Sequence, residues 1–169
     1  MIPKKYIAIA FLAGAVSAGL ASFGELGFSG TLIPANKQVV TLSDLILVAL
    51  IAPIVEECVK PIGLYLIGHE EKPNLTVAEW AWLGFFAGLG FALIEDALYA
   101  VGLAKYGAGP MLVLLGMRLA LPLHMIATTL TGIGIGLYQK TKDPGYFAAM
   151  LLLAMTVHGV FNFVVTVVG

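Results

Sequence analysis

The chain has 169 residues, 60% hydrophobic and only 11% charged, with a formal net charge of −1. Soluble domains carry about a quarter charged residues, so this composition excludes a water-soluble globular domain and identifies an integral membrane protein. The few basic residues are scattered over termini and loops, which gives no nucleic-acid signal, and the single cysteine, Cys58, cannot form an internal disulfide.

Lys4 and Lys5 precede an apolar run from Tyr6 to Phe23. It exceeds the usual signal-peptide core of about 7 to 15 residues and is read as a retained first span. Gly24 to Val40 has a loop composition, with Glu25, Pro34, Asn36 and Lys37, and its apolar piece Thr31 to Ile33 is too short to cross. A second span, Leu42 to Ile67, ends at Gly68 before the polar turn H-E-E-K-P-N. Thr76 with Glu79 forms a capping box ahead of a third span, Glu79 to Leu103, in which Gly84 and Gly88 suit close helix packing. The fourth span, Met111 to Tyr138, holds Arg118, Pro122, His124 and the glycines of T-G-I-G-I-G, and the fifth runs from Tyr146 to Val168. The chain is therefore expected to be one all-α domain over 1–169, a polytopic transmembrane helical bundle of about five spans near 6–23, 42–67, 79–103, 111–138 and 146–168. Lys4, Lys5, Lys72, Lys140 and Lys142 fall on one side, against Lys37 and Lys105 on the other, which puts the amino terminus inside and the carboxyl terminus outside.

Inside these spans lie groups that a bilayer penalises. Glu56, Glu57 and Lys60 share the second span, Glu95 and Asp96 the third, Arg118 and His124 the fourth, His158 and Asn162 the fifth. A charged side chain at the bilayer centre costs at least ~2.5 kcal/mol, so such groups face the interior and find partners. Glu56 and Lys60, Glu95 and Tyr99, and His158 and Asn162 are each four apart and lie on one helix face. Counted from the outer ends of their spans, Glu56, His124, His158 and Glu95 fall within ~9 Å of one another in depth. They can meet in one polar site. Arg118 matches Glu95 in depth as an ion-pair partner, and Lys60 is the simplest counter-ion for Glu56. Glu57, about 100° around the helix from Glu56, is expected to hold water, a neighbouring helix or the distortion at Pro61. Pro61 and Pro122 each remove a helix hydrogen bond beside a charged position.

The ordered motifs E-E-C-V-K at 56–60, G-F-A-L-I-E-D-A-L-Y at 90–99, R-L-A-L-P-L-H at 118–124 and H-G-V-F-N at 158–162 resemble those of PrsW-type membrane proteases. These belong to the superfamily of CAAX prenyl proteases and bacteriocin-processing enzymes, which includes the Aph subunit of gamma-secretase. The resemblance implies a glutamic-type intramembrane endopeptidase of the cell membrane, making the first cut in a single-span or otherwise membrane-anchored protein substrate. It implies that Glu56 activates water, that His158 and Asn162 stabilise the oxyanion, and that His124 is the histidine of the preceding motif. Where CAAX proteases have F-x-x-x-H this chain has F-A-L-I-E, so Glu95 replaces a histidine that helps orient the water, and its role stays open.

No cofactor is expected. Glu56, Glu95, His124 and His158 are nevertheless the ligand types of a zinc or other divalent metal site, so a metal-dependent protease is the alternative, although neither E-x-x-H nor H-E-x-x-H spacing is present. A non-catalytic scaffold or a proton or ion path is the alternative from another class.

Overall fold

The computed structural model describes the backbone of residues 1–29, 41–71, 74–104 and 107–168. Among these residues the fold is all-α. Helix α1 is Lys4–Ser29; α2, α3 and α4 are Leu42–Ile46, Ala52–Val59 and Ile62–Leu66; α5 is Val77–Leu103; α6 is Ala108–Ala120; α7 is Leu123–Thr141; α8 is Pro144–Val168. Among the described residues three helices are long and apolar enough to cross a membrane, over Lys4–Ser22, Val77–Val101 and Pro144–Val167. Their outward faces carry large apolar side chains such as Leu12, Val16, Leu98, Val101, Leu152 and Phe163, as a bundle solvated by lipid requires.

The second expected span is not one regular helix. Pro53 has no N–H to give the Ala49 carbonyl, and the turn before it widens into a π-helical segment, Leu47–Ile51, in which the Ala52 N–H reaches back to the Leu47 carbonyl. The helix breaks again at Lys60 and Pro61, where Pro61 has φ −80° and ψ 1°. It then runs through α4 into a second π-helical segment, Ile67–Glu71, beyond the expected end at Gly68. The fourth expected span is likewise two helices, α6 and α7, separated at Pro122 with φ −75° and ψ 65°. Helix α1 continues to Ser29, past the expected boundary at Phe23, since no proline interrupts it there.

Local signals fix the starts and stops. Thr76 Oγ1 accepts from the Glu79 N–H at 3.2 Å while Glu79 Oε2 accepts from the Thr76 N–H at 3.0 Å, the capping box read in the sequence. Helix α7 ends on Lys142, left-handed at φ 62°, and Asp143 Oδ1 accepts from the Gly145 N–H at 2.8 Å, so Asp143 and Pro144 open α8 directly after it.

Helix α5 packs against α1 and α7; α7 packs on α8; α8 packs on α3 and the π-helical segment before it; α3 and α4 return to α1. The broken second segment thus closes a ring of helices. The crossing of α5 and α7 is a backbone contact. A side chain at Gly84 would collide with the Thr128 carbonyl, and one at Gly88 with the His124 carbonyl. These two glycines set the height of His124 against α5.

Candidate active site

Glu56, Glu57 and Lys60 project from the broken helix into the ring, and all three are buried, as are His124 and His158. Lys60 is their hub. Its Nζ donates to Glu56 Oε2 at 2.9 Å and to Glu57 Oε1 at 2.7 Å, and lies 2.8 Å from His124 Nδ1. It also sits 4.1 Å from the centroid of the Phe91 ring, a cation–π contact.

An ammonium has donors only, so Nδ1 of His124 accepts from Lys60 and the ring hydrogen of the neutral imidazole is on Nε2. That nitrogen lies 2.6 Å from Glu95 Oε2, which accepts the hydrogen. His124 therefore links Lys60 to Glu95. The sequence places Lys60 three residues from Glu57 as well as four from Glu56, so one long side chain spans both carboxylates.

His158 meets Glu57. Its Nδ1 lies 2.8 Å from Glu57 Oε1, and a carboxylate there holds the proton on Nδ1 and leaves Nε2 with its lone pair. Nε2 is 3.8 Å from Glu56 Oε2, and the two histidine rings stand edge to face with centroids 5.1 Å apart. The neighbouring-helix role expected for Glu57 is thus its contact with His158 on α8. Its other oxygen, Oε2, is buried with no hydrogen-bond partner among the described residues, the kind of acceptor that an internal water or a substrate N–H satisfies.

Asn162, one turn beyond His158, gives its Nδ2 hydrogen to the Val48 carbonyl at 3.0 Å. It ties α8 to the first π-helical segment, and Gly159 lets α8 press against the Ala49 carbonyl there. The structure therefore brings Glu56, Glu57, Lys60, Glu95, His124 and His158 together, with Asn162 at the edge. The Arg118 side chain lies outside the described residues, and so does its expected pairing with Glu95. The contacts that sequence spacing missed are those between helices, above all Glu57 to His158 and Lys60 to His124.

Glu56, Glu57, His124 and His158 each offer one ligand atom, all within 4.8 Å of one another. Two carboxylates and two imidazoles are a donor set that zinc accepts. Glu57 takes the place that Glu95 held in the metal alternative read from the sequence, since Glu95 lies on the far side of His124. Three of the four, Glu56, Glu57 and His124, already give a lone pair to Lys60, so a divalent ion in their midst would have to displace the ammonium.

The sequence model of the PrsW family intramembrane metalloproteases matches residues 2–169. The chain belongs to this family, as the motifs of its spans indicated. No curated protein and no solved structure matches it.

Proposed function

We propose that this member of the PrsW family is a multi-pass endopeptidase of the cell membrane, with five crossings and its amino terminus inside, that hydrolyses a membrane-anchored protein through a glutamate-activated water and without a metal. The observation that carries this is the pair of bases facing one another: Glu56 Oε2, held by Lys60, and His158 Nε2, held by Glu57 through the far side of the ring, 3.8 Å apart. A water between them gives one hydrogen to each and turns a lone pair toward a carbonyl carbon.

The reaction then runs on this chain's own groups. The water oxygen bonds to the carbonyl carbon as its proton passes to Glu56, and the tetrahedral oxyanion forms. The C–N bond breaks as the nitrogen takes that proton, leaving a carboxylic acid and an amine. His158 Nε2 keeps the hydrogen bond from the water's second hydrogen, which stays on the intermediate as its hydroxyl, and so holds the attacking oxygen in place. His124 has Lys60 on one nitrogen and Glu95 on the other, which makes it a positioning residue. Glu95 has a side chain 13% exposed, more than Glu56 or Glu57, and as the acceptor of the His124 hydrogen it holds that ring in place. Making the first cut of a regulated proteolytic sequence suits a site built within the bilayer.

Purified protein incubated with single-span reporters, with cuts mapped by mass spectrometry, tests the proposal. Glu56→Gln should lower the rate by about 10²- to 10⁴-fold, the range of a lost general base, while helicity is retained. Wild-type activity should be undiminished in excess chelator. Cleavage surviving both Glu56→Gln and His158→Ala would refute the mechanism, and loss in chelator restored by one metal would replace it with the metal-dependent one.

A further inference from the structure

The centre of the site already contains a cation. All three hydrogens of the Lys60 ammonium have acceptors, on Glu56, Glu57 and His124, at 2.7 to 2.9 Å. The face of Phe91 closes another side at 4.1 Å, and the residue is fully buried. Three of these neighbours belong to the group of four whose ligand atoms lie within 4.8 Å of one another.

The geometry points to Lys60 as the resident cation of a latent metal site: with Lys60 replaced by an uncharged side chain, Glu56, Glu57, His124 and His158 bind a divalent transition metal. Two features support this besides the ligand set. Charge is the first. The two ligand carboxylates carry two negative charges and Glu95, bonded to His124, a third, so one ammonium compensates less of the cluster's charge than a divalent ion in its place would. The second is the state of His124. Metal-binding histidines characteristically give their other N–H to a carboxylate, which orients the ring and fixes the ligating nitrogen. Glu95 does this for His124 at 2.6 Å, and the remaining nitrogen, Nδ1, is aimed at Lys60 Nζ. The ring is set as a metal ligand would be, toward a lysine. Ammonium and metal therefore compete for the same lone pairs, and the lysine is tethered. This placement of Lys60 is independent of the catalytic role given to Glu56.

Cobalt(II) titration of the purified chain in detergent, followed by visible absorption and by metal analysis of the desalted protein, tests the proposal without an activity assay. Wild type should take up no stoichiometric cobalt. Lys60→Met should bind one ion per chain at least about 30-fold more tightly, the factor given by repulsion between a single and a double positive charge ~4 Å apart even at water's dielectric constant. Adding His124→Ala to Lys60→Met should abolish the gain. A folded Lys60→Met chain that gains no cobalt overturns the proposal. Lys60→Gln, which keeps a hydrogen-bonding end, serves if the methionine variant does not fold. The wild-type titration needs no variant: one tightly held ion per native chain overturns the proposal.

Discussion

Helix α7 has two working faces made of opposite materials. Toward α5 it meets backbone: Gly84 and Gly88 lie against the Thr128 and His124 carbonyls, and Gly132 lies against that of Trp80. Toward the broken helix and α8 it presents His124 to Lys60 and to the ring of His158, and the same imidazole reaches back to Glu95 on α5. The glycine contacts carry no charge and leave little freedom to slide. The second face gathers its hydrogen bonds at His124, while further along it Gly134 packs against Met150 and Phe147 of α8. Lipid supplies no hydrophobic drive between helices, so close backbone packing sets the heights, and only then can polar groups on different helices come within hydrogen-bond reach.

The comparison breaks most strongly on the polar face. Glu57→Ala removes the acceptor shared by Lys60 and His158 and leaves a buried ammonium with one partner fewer. Breaking a buried pair from one side costs about 3 to 5 kcal/mol. Chemical unfolding in micelles should show a loss of that size; a loss below about 1 kcal/mol would mean that the charged cluster does not hold the bundle. On the small-residue face Gly88→Val should be milder, about 1 to 3 kcal/mol for overpacking a closed contact. It should also lower cleavage in the fraction that stays folded, because His124 rides on the carbonyl that the new side chain displaces. A valine tolerated with full activity would show that this crossing does not position the site.

The two faces also differ in how legible they were. Several features along one helix were open to sequence reading, the capping box at Thr76 and Glu79, the breaks beside Pro61 and Pro122 and the pairing of Glu56 with Lys60, whereas the end of α1 and the π-helical segments were not. Shared depth correctly grouped Glu56, Glu95, His124 and His158. Rotation about each helix axis was not legible, and rotation decides which atoms touch. Glu57, about 100° from Glu56, looked separated from it. Yet a lysine three and four residues on reaches both, and the turn at Lys60 and Pro61 brings its amine to His124. The contact between Glu57 and His158 has no signal in spacing, since it depends on how α8 seats against a π-helical segment that only Pro53 foreshadows.

Asn162 stands where the two faces' rules overlap, and its replacement sharpens the comparison most although its expected effect is smallest. Its amide donates to the Val48 carbonyl at 3.0 Å, a single polar tie between helices, and such ties in membranes average about 0.6 kcal/mol. If that tie is its whole role, Asn162→Ala should lower stability by about that amount and slow cleavage only as far as His158 is loosened one turn away. The family resemblance implies more, a hydrogen bond to the oxyanion. Loss of a donor of that kind costs about 10²- to 10³-fold in rate, far beyond what so small a structural change transmits. Stability and cleavage rate measured on the same variant separate the roles, since Nδ2 carries two hydrogens and the Val48 carbonyl takes only one. A large fall in rate with stability nearly unchanged would assign the second hydrogen to the reacting carbonyl and extend the site across α8 to the π-helical segment; parallel small changes would confine the chemistry to the cluster around Lys60.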